Sequence, residues 1–268
     1  MSNILAWNEL QIFTFFFVFI RVSSLMIFVP LFGDKAIPIN VKILLAVAVS
    51  WVCFPILWAS GMRINPDFYQ STFSISSIMA QEIFLGVCIG FISRWVFDAA
   101  MFSGQLAGNA MGLSMASVLD PQTESQTIPL SEIKYILTLM LFLAGDGHLL
   151  LLKIINDSFQ ILPIGAASFF ARHKEVVSFL IEMSAEILLL SVKLAAPVIV
   201  IILMVNITFG LISRAVPQMN VFAVSFGANI LIGLFVVIIS FPTFTNLISS
   251  AFDGYAAHII KFMELLHG

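Results

Sequence analysis

Polar residues are too sparse along this chain to set a rhythm, and the apolar positions merge into long runs. Six runs stand out, at 10–32, 41–59, 78–102, 133–155, 176–212 and 221–251. A helix needs about 20 apolar residues to cross the hydrocarbon of a bilayer, and each run reaches that by count. Backbone amides with no water to bind must pair within their own segment, so every run is predicted to be helical. The breaks between runs read as turns. They hold Gly33-Asp34 with Ile37-Pro38, Asn65-Pro66 within 61–70, Pro121 and Pro129 within 119–129, Leu162-Pro163-Ile164-Gly165, and Pro217-Gln218-Met219-Asn220. Glycine tolerates left-handed backbone and proline fixes φ, which is why both gather at turns. With no long linker and no short repeat, the expected architecture is one all-α, multi-helix protein of integral membrane type.

Several runs are not clean spans. Arg21 interrupts the first, and Glu82, Arg94 and Asp98 lie in the third. The fifth holds Glu182, Glu186, Lys193 and Pro197, and Arg214 follows its end. A charge at the bilayer centre costs about 2.5–3.5 kcal/mol on insertion scales. The fifth run is also nearly twice the length a span needs. It is predicted to be one long helix bent at Pro197, or a short polar-faced helix followed by a span. Basic residues are spread weakly between alternate loops, with Lys35, Lys42 and Arg214 on one side against Arg63, Lys153, Arg172, Lys174 and Lys261 on the other. The count places the N-terminus in the cytoplasm by a small margin. Weak bias together with charges inside apolar runs points to helices that answer to protein neighbours as much as to lipid.

Composition narrows the function. The chain is 60% apolar and 10% charged, against about 45–50% and about 25% for a soluble domain. That excludes a soluble enzyme, a disordered chain and a nucleic-acid-binding domain. A net charge of −3 implies no charged ligand. Cys53 and Cys88 lie in apolar runs and are expected as core thiols. Met1–Gln11 has no Lys or Arg, so no cleavable signal peptide is expected.

Chemical motifs are lacking. The histidines, His148, His173, His258 and His267, have no metal-ligand spacing. Ser103-Gly104 lacks the flanking glycine of a nucleophile turn. Gly145-Asp146-Gly147-His148 suggests intramembrane acid chemistry but has no matching second Asp element. No catalytic residue, metal ligand or cofactor is expected.

Two constellations remain. The segment 104–115 is rich in Gly, Ala, Ser and Met, and is uncharged until Asp120. Gly104, Gly108 and Gly112 recur every fourth residue, as in a close helix-packing face. The same composition suits a pliable apolar segment that seals an opening, since methionine adapts its shape. The second constellation is Arg21, Glu82, Arg94, Asp98 and Arg214, expected as buried ionisable groups that pair between helices more readily than they relay protons. Arg94 and Asp98 are one helical turn apart and able to pair locally.

Element order supplies the remaining signal. Arg21 and Pro30 precede Ala36-Ile37-Pro38 and Val41-Lys42, and Glu82 precedes Leu85-Gly86 and Gly90-Phe91. Then come Gly104-Gln105-Leu106-Ala107-Gly108, Met111-Gly112-Leu113-Ser114 and Asp120-Pro121. Leu141-Phe142-Leu143, Gly147-His148, Phe159 and Leu162-Pro163-Ile164-Gly165 follow. Ala195-Ala196-Pro197-Val198, Gly210, Arg214 and Pro217-Gln218-Met219-Asn220-Val221-Phe222 close the pattern. In this order and spacing the chain resembles the FliR/SctT family of type III export-gate proteins.

The resemblance implies a non-enzymatic gate subunit, one copy closing a helical ring with FliP and FliQ. Residues 1–165 would resemble FliP and 166–268 the FliQ hairpin. Much of the gate would stand on the periplasmic side of the inner membrane, at the flagellar basal body. FlhB would be the cytoplasmic neighbour, the proximal rod would lie beyond the exit, and unfolded flagellar proteins would be the cargo. A plug sealing the pore would comprise Gly104, Gln105, Leu106, Gly108, Met111, Gly112, Leu113, Met115, Val118, Leu119, Asp120 and Pro121. Read from the residues alone, Glu82 and Pro197 also suit a secondary transporter of ions or small solutes, which uses broken helices and midplane charges.

Overall fold

A computed structural model of the chain describes residues 8–30, 32–33, 37–61, 71–115, 128–166, 172–216, 218 and 220–267. Every regular element among them is a helix: α1 (Glu9–Phe28), α2 (Ile39–Ala59), α3 (Thr72–Met111), α4 (Pro129–Ala144), α5 (Gly147–Ile161), α6 (His173–Ala215), α7 (Val221–Ile239) and α8 (Phe241–His267). The all-helical membrane-type architecture expected from the apolar runs is therefore present.

Local chemistry accounts for the boundaries. Asn8 caps α1 by accepting from the Glu9 amide at 2.9 Å, while its own amide donates to Gln11 Oε1 at 2.9 Å. That reciprocal pair satisfies amides the first helical turn leaves bare. Pro129 opens α4 at a position where a missing N–H costs nothing. The fourth run is broken at Gly145-Asp146, where Asp146 takes the left-handed φ of 55°. The sixth run is likewise broken near Ser240, and its two helices meet at a 55° bend.

Helices α1, α2, α3 and α6 are long and apolar enough to cross a membrane, and the two bent pairs raise the number of candidate spans to six. The 40 residues of α3 and 43 of α6 correspond to roughly 60 Å or more at 1.5 Å per residue. That is about twice the hydrocarbon thickness. The fifth run is thus one continuous helix with Pro197 inside it, not a short helix followed by a separate span.

The chain divides into two compact units. The first is Met1–Arg94, Asp146–Met183 and Gly254–Gly268; the second is Trp95–Gly145 and Ser184–Asp253. The core of the first includes Phe17, Val18, Val22, Ile89, Phe159 and Phe262, all fully or almost fully buried. The second contains a ring cluster of Phe97, Phe142 and Phe252, with centroids 5.3–5.5 Å apart. Large apolar side chains also cover the outside, with Leu231 72% and Ile238 70% exposed. Such a surface is stable only against lipid or apolar protein partners.

Candidate functional site

Arg21 and Glu82 form the most deeply buried charged site in the first unit, at 1% and 0% exposure. Arg21 Nε donates to Glu82 Oε2 at 2.5 Å and Nη2 donates to Oε1 at 3.1 Å. This bidentate fork joins α1 to α3. Nη1 donates to the carbonyls of Ser158 (3.0 Å) and Leu162 (2.9 Å). Those carbonyls lie at the C-terminal end of α5, where the dipole favours a cation, and Ser158 O also accepts from the Leu162 amide at 3.0 Å. Glu82 Oε1 also accepts from the Gly165 amide at 3.3 Å, and the Phe159 ring lies 4.1 Å from Arg21 Cζ. One guanidinium thus ties three helices and the turn after α5 through four hydrogen bonds. A buried pair with this much satisfaction meets the condition under which burial of charge is tolerated.

Two glycines allow the helices to approach closely enough. A Cβ on Gly86 would overlap Ser24 Oγ and lie 2.6 Å from the Arg21 carbonyl oxygen. A Cβ on Gly90 would lie 2.8 Å from both Leu25 O and Phe28 Cβ. Gly86 and Gly90 thus serve close packing of α3 on α1.

The remaining charged candidates are placed differently. Arg94 and Asp98 are half-buried, one turn apart on α3. Arg214 is exposed in the last turn of α6. Its expected burial is corrected: a cation at a helix C-terminus is stabilised by the dipole without an interior partner.

The sequence reading passed over Lys134. It is buried in the second unit, donating to Ser103 Oγ at 3.0 Å and to the Leu194 carbonyl at 3.4 Å, with the Phe244 ring 5.6 Å away. The Leu194 carbonyl belongs to the turn of α6 that leads into Pro197. A lysine at the start of the fourth apolar run was the available signal. Replacing it with methionine removes a buried charge whose protein acceptors here are neutral, and Ser103 Oγ keeps its 2.7 Å bond to the Ala100 carbonyl. Lys134→Met is therefore expected to leave the melting temperature of the purified protein unchanged or higher; a clear fall would show that the ammonium is a net stabiliser.

The glycine-rich segment is helical for most of its described length. Gly104, Gln105, Leu106, Gly108 and Met111 belong to the end of α3 rather than to a pliable loop. A Cβ on Gly104 would collide with the Ser131 backbone, and one on Gly108 with Ile128. Ala107 and Met111 are fully buried with Leu130, Ala195, Val198 and Ile202, and Leu113 packs against that cluster. The small residues make a packing face, which rewards helix over loop. Gly112 then stops the helix at φ +85°. Its amide donates to Asn109 O at 3.0 Å, and the Leu113 amide donates to Gly108 O at 2.9 Å, a Schellman cap. Met115 is 40% exposed. Val118, Leu119, Asp120 and Pro121 lie outside the described residues.

Cys53 and Cys88 are buried free thiols. Among the described residues, no group of three or more His, Cys, Asp or Glu side chains is placed to hold a metal ion. Taken together, apolar helices of span length, a buried ionic cross-link and an apolar exterior define an all-helical membrane protein.

The family model described as "Bacterial export proteins, family 1" matches residues 12–255, and the chain belongs to that family. This is the FliR/SctT family expected from the order of motifs. The flagellar biosynthetic protein FliR of Escherichia coli (strain K12) is 30% identical over 230 residues, covering 86% of this chain and 83% of that relative. FliR of Buchnera aphidicola subsp. Acyrthosiphon pisum (strain APS) is 29% identical over 271 residues, covering 98% and 99%. The surface presentation of antigens protein SpaR of Shigella flexneri is 27% identical over 234 residues, covering 84% of each chain.

Proposed function

We propose that this chain is a subunit of the flagellar type III protein export gate in the bacterial inner membrane. It shares with FliP and FliQ a pore for unfolded flagellar proteins. FlhB is its cytoplasmic neighbour and the proximal rod lies beyond the exit, with much of the gate on the periplasmic side. Residues 1–165 stand in the FliP-like part of the ring and 166–268 in the FliQ-like part. The observation that supports this reading most is similarity to flagellar biosynthetic proteins along 98% of the chain. An apolar exterior that wants protein or lipid around it agrees with a subunit of a larger assembly. Capture of a tagged copy in gentle detergent tests the reading: FliP and FliQ should accompany it, and a solute-loaded chain recovered alone would favour a secondary transporter instead.

Within this reading the plug has two parts. Gly104, Gln105, Leu106, Gly108 and Met111 form its packed root, while Gly112 turns the chain out of the helix. Leu113, Met115, Val118, Leu119, Asp120 and Pro121 belong to the sealing part. Replacing residues 116–127 by a short Gly-Ser linker is expected to leave the complex assembled and the membrane leaky to ions. Unchanged conductance across membranes holding the assembled variant would overturn the sealing role.

A further inference from the structure

Met111 is the last residue of α3, and Gly112 turns the chain out of the helix directly after it. The place of Met111 therefore sets where the chain beyond Gly112 begins. Its side chain enters a notch on α7. A Cβ on Gly233 would lie 2.5–2.8 Å from Met111 Cγ, Cε and Sδ. The thioether thus takes the volume in which any other residue would carry its own side chain.

Gly233 belongs to the inward face of α7, within the second unit. Positions 226, 229, 233, 236 and 237 share that face at spacings of three and four. A Cβ on Gly112 would lie 3.3 Å from the Phe226 ring. Buried Asn229 donates from Nδ2 to Asn206 Oδ1 of α6 at 2.8 Å. Val236 and Val237 pack against the cluster that holds Ala107 and Met111. The opposite face, with Leu231, Leu234, Phe235 and Ile238, is exposed. One side of α7 holds the end of α3, and the other is open to whatever surrounds the chain.

We propose that Met111 and Gly233 are the catch of the seal. This rests on the sealing role given to the plug above. With the thioether seated, the end of α3 and the chain beyond Gly112 stay in the closed position. An unbranched methionine leaves such a notch by rotating its side-chain bonds, so a shift of α7 releases the root without unfolding α3. Met111 is a positioning residue, acting through the segment that follows it.

Ion conductance across membranes holding the assembled complex tests the catch, with the 116–127 replacement as the open reference. Gly233→Ala fills the notch while favouring the helix. It should leak with little change in melting temperature. Met111→Ala empties the notch and should leak as well; it carries the test by itself if Gly233→Ala does not assemble. Met111→Ala with Gly233→Met sends the same side chain across the gap from the other helix and should reseal the membrane. General loosening of the core would not be reversed in this way. Single variants as tight as the parent, beside a leaky 116–127 replacement, would overturn the catch and leave the plug standing. A double variant as leaky as Met111→Ala would overturn it too. If the 116–127 replacement itself holds ions back, the sealing role falls and the catch falls with it.

Discussion

Replacing Arg21 with leucine is expected to cost about 3–5 kcal/mol of stability, because it strands the Glu82 carboxylate in the interior. The loss exceeds that of one contact. It removes the fork to Glu82, the bonds to the Ser158 and Leu162 carbonyls, and the stacking on Phe159. Arg21→Lys should fail almost as badly, since a compact ammonium cannot reproduce a planar fork that serves a carboxylate and two carbonyls at once. The informative control removes both charges. Arg21→Met with Glu82→Leu leaves no unpaired ion and should recover a large part of the loss, although the Leu162 carbonyl and the Gly165 amide each lose a partner. Thermal melting of the purified protein, with the yield of assembled complex, measures the series. A double variant no better than Arg21→Leu would show that capping of α5, and not charge pairing, is what the site supplies.

Gly86→Val should be nearly as damaging, for a steric reason with an electrostatic consequence. The nearest atoms to an added Cβ are Ser24 Oγ and the backbone of Arg21 and Leu25. A side chain can rotate away, but the α1 backbone cannot move without taking Arg21 with it. Overpacking costs about 1–3 kcal/mol on its own, and loosening the ion pair adds to that. The contrast is Gly210, which is helical and has no atom within 4 Å of an added Cβ. Gly210→Ala should be neutral or stabilising by up to about 1 kcal/mol, the usual helix preference for alanine over glycine. If both substitutions shifted the melting temperature alike, close approach of α1 and α3 would not be what Gly86 provides.

Much of this was legible in the residues. The six apolar runs became four span-length helices and two bent pairs, since burial of backbone amides in an apolar setting leaves only the helix. The break at 162–165 fell where the chain leaves a helix, whereas the bends at Gly145-Asp146 and near Ser240 lie inside runs that hydropathy left whole. Arg21 and Glu82 were visible as charges in apolar surroundings, although 61 residues apart. Which cation would meet which carboxylate was not visible, because the pairing depends on how α1 and α3 pack.

The glycine-rich segment shows where composition runs out. Glycines at 104, 108 and 112 suit a loop and a packing face equally, and the choice falls to what lies opposite. Ser131 and Ile128 occupy the notches at 104 and 108, so the segment remains helical to Met111. Lys134 escaped notice for the same reason: its burial follows from Ser103, Leu194 and Phe244 converging on it, and none is near it in sequence. The sequence by itself determined the solvent, the helices and the family, since these follow from average hydropathy and local backbone chemistry. Tertiary structure alone decided the partners of each buried charge and the role of each glycine, because both depend on atoms that packing brings within a few ångströms.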